Sequence, residues 1–149
     1  TLGPEEDSVS YPFPSETWTQ AYAAAVNANE AYRKAGQPWT YGKVAMVVQA
    51  DPSIGLDDAV SMILDVHEGR CNGAVYVKGL ESVKDAPFVI VANYARWRDV
   101  IEGRLDPIKA MMEGKLKLTQ GHLPTMIRFV ESSRQLVVSA ANVPTTFLA

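Results

Sequence analysis

The chain has 149 residues, enough for one domain whose core needs no covalent staple. Hydrophobic residues make up 47% and charged residues 21%, a balance that excludes disordered and collagen-like chains. The net charge of −3 hides an asymmetry: residues 1–95 hold 6 basic and 12 acidic side chains, whereas residues 96–149 hold 8 basic and 5 acidic ones.

Residues 1–14, with prolines at 4, 12 and 14 and the triplet Glu5-Glu6-Asp7, predict an extended arm ahead of a single domain over 15–149. Ser15 is placed to cap a helix over 16–34, in which Trp18, Tyr22, Ala25, Val26, Asn29 and Tyr32 recur every three or four residues. Gly36 and Pro38 end it in the expected order. The apolar, β-branched run Lys43–Gln49 then predicts a strand. A second strand over 59–67 alternates, with Met62, Leu64 and Val66 on one face and Ile63, Asp65 and His67 on the other. Glu68-Gly69 turns the chain into a hairpin partner over 70–78. A further strand follows at 87–92. Asn93 caps a helix over 94–102, with Trp97, Val100 and Ile101 on its apolar side. Asp106-Pro107 is the strongest local signal. The aspartate accepts free amide hydrogens at a helix start, and the proline gives up a hydrogen that has no partner there. That helix runs to Glu113 and Gly114. Lys115-Leu116-Lys117-Leu118 alternates as a half-buried strand, and a last helix spans 123–140. Strands clustered ahead of helices indicate an α+β fold.

The chemistry-bearing residues are few. The lone Cys71 excludes an intramolecular disulfide and a Cys-rich zinc site, and a reducing cytoplasm is the expected location. The first residues show neither a basic nor an apolar signal region. The longest apolar run, Ala86–Ala92, falls far short of the ~18 residues of a membrane span. There is no compact Lys/Arg cluster with interleaved aromatics, so nucleic acid is not an expected partner. His67 reads as a surface residue beside Glu68, and His122 as a turn residue. No metal-ligand spacing, nucleophile motif or phosphate loop is present, and neither a cofactor nor a catalytic residue is expected. The enzymatic alternative would place Asp65, His67 or Cys71 in the pocket, with a Cys71–His67 dyad conceivable across the turn. What stands out is apolar: Met111, Met112, Leu116, Leu118, Met126, Ile127 and Val130 crowd together. Methionine suits a surface that adapts to irregular apolar guests, although the same pattern also builds plain core.

The stretch from Trp97 to Leu118, reading Trp97-Arg98-Asp99-Val100-Ile101-Glu102-Gly103-Arg104-Leu105-Asp106-Pro107-Ile108-Lys109-Ala110-Met111-Met112-Glu113-Gly114-Lys115-Leu116-Lys117-Leu118, resembles the signature of the sterol carrier protein 2 (SCP2) family. The match continues through Gly121, and a wider likeness runs from Phe13 to Thr145. The resemblance implies an SCP2-like fold, a five-stranded, mostly antiparallel sheet with helices packed on one face around an apolar tunnel. It also implies non-enzymatic binding, with possible transfer, of fatty acids, fatty acyl-CoA, phospholipids or sterol-like molecules. The positions matching the cavity segments are Ile108, Met111, Met112, Leu116, Leu118, Met126, Ile127 and Val130, with Trp97 of the preceding helix. The chain reads Gly121-His122-Leu123-Pro124 where the family usually has a different step into the last helix. Arg96, Arg98, Arg104, Lys115 and Lys117 are candidates for contact with an anionic head group or membrane surface. An enzyme or enzyme subunit acting on an apolar substrate, and a module whose apolar groove binds a partner protein, stand as alternatives.

Overall fold

The computed structural model describes residues 9–148. Among these, seven strands and six α-helices follow in the order β1 (Tyr11–Phe13), α1 (Glu16–Ala28), α2 (Glu30–Ala35), β2 (Val44–Val48), β3 (Val60–His67), β4 (Arg70–Lys78), β5 (Phe88–Ala92), α3 (Tyr94–Ile101), α4 (Pro107–Met112), β6 (Lys117–Gln120), α5 (Leu123–Arg128), α6 (Val130–Ala141) and β7 (Thr145–Phe147). The fold is α+β. Its five-stranded sheet has the order β4-β3-β2-β5-β6, with β2 and β5 parallel and every other pair antiparallel. The acidic and proline-containing residues 1–8 of the expected arm lie outside the described residues.

Central strand β2 reads Val-Ala-Met-Val-Val, apolar throughout because both of its faces are covered. Val44, Met46 and Val48 face the helices with Met62 and Leu64 of β3 and Phe88 and Ile90 of β5. Ala45 and Val47 face the other way, where Val83 and Ala86 roof them together with Val89 in a second, smaller core. The face carrying Ile63 is therefore partly covered, because the segment between β4 and β5 folds back over its apolar residues.

The β3–β4 hairpin turns where expected. Glu68 (φ 49°) and Gly69 (φ 82°) are both left-handed, as a two-residue hairpin turn requires. Two helices are interrupted where the periodicity predicts continuity. Asn29 (φ −92°, ψ 103°) ends α1 and caps α2, and Phe129 (φ −100°, ψ 35°) separates α5 from α6. The strand expected at 115–118 begins two residues later, at Lys117. The amides of Lys115 and Leu116 both donate back to the Ala110 carbonyl, at 2.8 and 3.2 Å, and this keeps them in the exit from α4. Beside the main sheet, β1 and β7 pair in parallel, with Phe13 opposite Phe147. The Phe13 ring packs edge-on against Trp18 at 4.7 Å, so this small sheet closes one end of the core.

Candidate functional site

Between the helix-facing side of the sheet and the helices lies a cavity of ≈ 70 Å³. The sheet supplies Val44, Met46, Met62, Leu64, Val66 and Ile90. Its other walls come from Tyr22 and Tyr32 on α1 and α2, from Trp97, Val100 and Ile101 on α3, from Pro107 and Met111 on α4, and from Ser132, Ser133, Leu136, Val137 and Ala140 on α6. Phe13, Trp18, Trp39, Leu116 and Met126 complete it. No Asp, Glu, Lys, Arg or His is among these residues, so the void is uncharged on every side.

Local structure explains how the walls are held. The Asp106 carboxylate accepts from the Lys109 amide at 2.9 Å and caps α4, which sets Met111 against the cavity. The Trp97 indole N–H donates to the Val47 carbonyl at 2.8 Å, anchoring α3 to the central strand. Asn29 accepts from the amides of Ala31 and Tyr32 and donates to Ser139 Oγ at 3.0 Å, joining α2 to α6. The Tyr22 hydroxyl donates to the Leu136 carbonyl at 3.0 Å and ties α1 to the same helix.

Of the residues singled out by the motif, Trp97, Met111, Leu116 and Met126 line the cavity. Ile108 is buried in the surrounding core, and Leu118 and Val130 are half-buried against it. Met112 and Ile127 are 63% and 39% exposed. The sequence does not mark the walls contributed by β2, β3, α1 and α2 as cavity lining, because alternating valines and helical aromatics look the same in any core. Tyr32 and Ser133 carry a signal only in hindsight, as polar groups on otherwise apolar faces.

Cys71, Asp65 and His67 do not line the cavity. Cys71 opposes Val66 and sits in the core, whereas His67 is exposed and paired with Glu68 at 2.6 Å. Burial pushes the Cys71 thiol up. The charge of Asp65 adds to this, and backbone hydrogen bonding at Gly73 and Asp65 partly offsets it. A thiol held protonated is a poor nucleophile. Among the described residues, no three His, Cys, Asp or Glu side chains converge as metal ligands would.

An open cleft of ≈ 640 Å³ lies beside the cavity and shares Pro107 and Val137 with it. Arg104, Lys109, Lys115 and Arg134 ring this cleft with Asp106 and Glu113. Most of its cations are already engaged. Arg104 pairs with Glu102 and Asp99, Arg134 with Asp106 at 3.0 Å, and Lys115 with Glu113 at 3.2 Å. Lys117 is exposed and Arg96 and Arg98 are half-buried, and all three lie outside the cleft. No helix among the described residues is long and apolar enough to cross a membrane.

The sequence profile of the SCP-2 sterol transfer family matches residues 27–127. A crystal structure of sterol carrier protein 2 is 40% identical, covers 87% of this chain and 97% of its own, and superposes with a TM-score of 0.81. The solution structure of the conserved hypothetical protein TT1886 from Thermus thermophilus is 39% identical, with 89% and 90% covered and a TM-score of 0.80. Apo sterol carrier protein 2 from Yarrowia lipolytica shares the fold at 16% identity, with 87% and 94% covered and a TM-score of 0.54. No curated protein matches the chain.

Proposed function

Since the chain belongs to the SCP-2 sterol transfer family, we propose that it takes up one lipid-like molecule, such as a fatty acid, a fatty acyl derivative or a sterol-like compound, between the sheet and the helices, and carries it without chemical change. The observation that supports this reading is the cavity between sheet and helices, whose lining residues are uncharged and mostly apolar. Burying a ten-carbon chain gains about 8 kcal/mol at ~0.8 kcal/mol per CH₂. Association costs a comparable amount, so useful affinity needs a slot that encloses most of the chain.

At ≈ 70 Å³ the cavity is well below the roughly 300–1,000 Å³ of typical ligand pockets. Loading therefore requires the helices to move away from the sheet. The methionines suit that motion, since Met46, Met62, Met111 and Met126 repack at low cost. Transfer to a membrane would bring the cleft beside Pro107 to an anionic surface, where Lys109 makes no ion pair among the described residues. The free, buried Cys71 suits a reducing cytoplasm.

Native mass spectrometry of detergent-free protein, followed by solvent extraction, tests the reading. A co-purifying lipid, or uptake of members of a panel of acyl chains, is the expected result. Met126→Trp, which fills the cavity from α5, should cut that uptake at least tenfold while the protein stays folded. An empty protein that accepts no chain from the panel overturns the proposal.

A further inference from the structure

Among the described residues, buried hydroxyl, indole and thiol groups almost all have a protein partner. Thr19 donates to the Ser15 carbonyl, Ser61 to Gly79, Ser132 to Phe129, Ser139 to Gln135 and Tyr22 to Leu136. The indoles of Trp18, Trp39 and Trp97 are equally satisfied, and so is the Cys71 thiol. Tyr32 and Ser133 are different. They are 1% and 8% exposed, and among the described residues neither hydroxyl makes a hydrogen bond. Both side chains line the cavity.

No sealed side-chain oxygen or nitrogen among the described residues lacks a partner, so these two hydroxyls border open space. A serine within a helix usually satisfies its hydroxyl on the carbonyl three or four residues back, as Ser132 and Ser139 do; Ser133 does not. Leaving a buried hydroxyl unpaired is costly, and a partner supplied by a ligand removes that cost. An ionised group would find no counter-charge there, because no lining residue is charged.

From this arrangement we infer that Tyr32 and Ser133 are the polar anchors of the cavity, and that its preferred occupant buries an uncharged oxygen function (alcohol, ketone or ester) at the end of an apolar body. This rests on the carrier reading and narrows it: a free carboxylate is not what this uncharged lining is built to receive.

The test uses the full chain with 1-decanol and decanoate at pH 8, where decanoate is ionised, in competition with an uncharged environment-sensitive fluorophore. Wild-type protein should bind 1-decanol more tightly than decanoate. Tyr32→Phe and Ser133→Ala should each weaken 1-decanol about three- to tenfold and leave decanoate unchanged. Both changes remove a single oxygen, and thermal unfolding checks that each variant folds. If one fails to fold, the other still decides. Tighter binding of decanoate, or 1-decanol affinity indifferent to both substitutions, overturns the inference while the carrier reading survives. Failure of the wild type to displace the fluorophore with either compound overturns both.

Discussion

Asn29 uses both ends of one side-chain amide. Its oxygen accepts from the amides of Ala31 and Tyr32 and so starts α2. Its nitrogen donates to the Gln135 carbonyl, to the Gln135 side chain and to Ser139 Oγ. The residue breaks the helical periodicity of 16–34 and links the broken end to α6, so it also fixes where Tyr32 stands in the cavity wall. Losing a cap costs about 1 kcal/mol, and losing the α6 bonds adds roughly 1–2 kcal/mol. Asn29→Ala should therefore lower the melting temperature by about 5–10 °C. Asn29→Asp keeps the cap oxygen but not the donors and should fall between wild type and Ala. Circular dichroism melts of the three proteins check the order. Equal melting of Ala and Asp would mean that the contacts to α6 contribute nothing.

Helix α4 shows the same dependence on a cap, with a charge added. Partial burial raises the Asp106 pKa, but the bonds from the Lys109 amide and the Arg134 guanidinium outweigh it and hold the carboxyl below its ordinary value. A depressed folded-state pKa gives stability that is complete above the unfolded value of about 3.9 and is lost as pH falls through the folded one. Asp106→Asn keeps the capping oxygen and removes the titration. Wild type should thus be slightly more stable than the variant at pH 7, and the gap should close below about pH 4. Urea melts across this range read it directly, and a gap that does not change with pH would deny the charge any role. Capping is also why α4 is legible in the sequence, as Asp106-Pro107 announces it without tertiary help, and Glu68-Gly69 does the same for the hairpin. β7 is not legible. Thr145–Phe147 have no alternation long enough to read and become a strand only by pairing with Tyr11–Phe13. The cavity divides in the same way. Met111 and Met112 read alike in a motif, yet successive helix residues point about 100° apart, so one lines the void and the other is exposed. Tyr32 and Ser133 stay hidden, because a missing hydrogen bond is a property of the folded neighbourhood and not of the residue.

At the scale of the whole molecule, the two walls of the cavity differ in how firmly they are held. β2 is laddered to β3 on one side and to β5 on the other, so its amides open only when the sheet does. The opposite wall is helical. α5 and α6 begin at His122 and Phe129 without a side-chain cap bond, and Phe129 breaks the path between them. What holds that break is aromatic packing, with the Phe129 ring 5.1 Å from Trp39 and 5.6 Å from Tyr41. A guest larger than ≈ 70 Å³ must displace one wall, and the helical wall has fewer bonds to lose. Hydrogen exchange followed by mass spectrometry should accordingly find the amides of 123–141 exchanging well ahead of those of β2, β3 and β5. Saturating 1-decanol should then slow exchange in the α5–α6 segment several-fold and leave the central strands unchanged, because bound alkyl chain replaces the packing that the empty slot lacks. Protection spread evenly over sheet and helices would instead mean that binding stabilises the fold globally, with no single wall acting as the door.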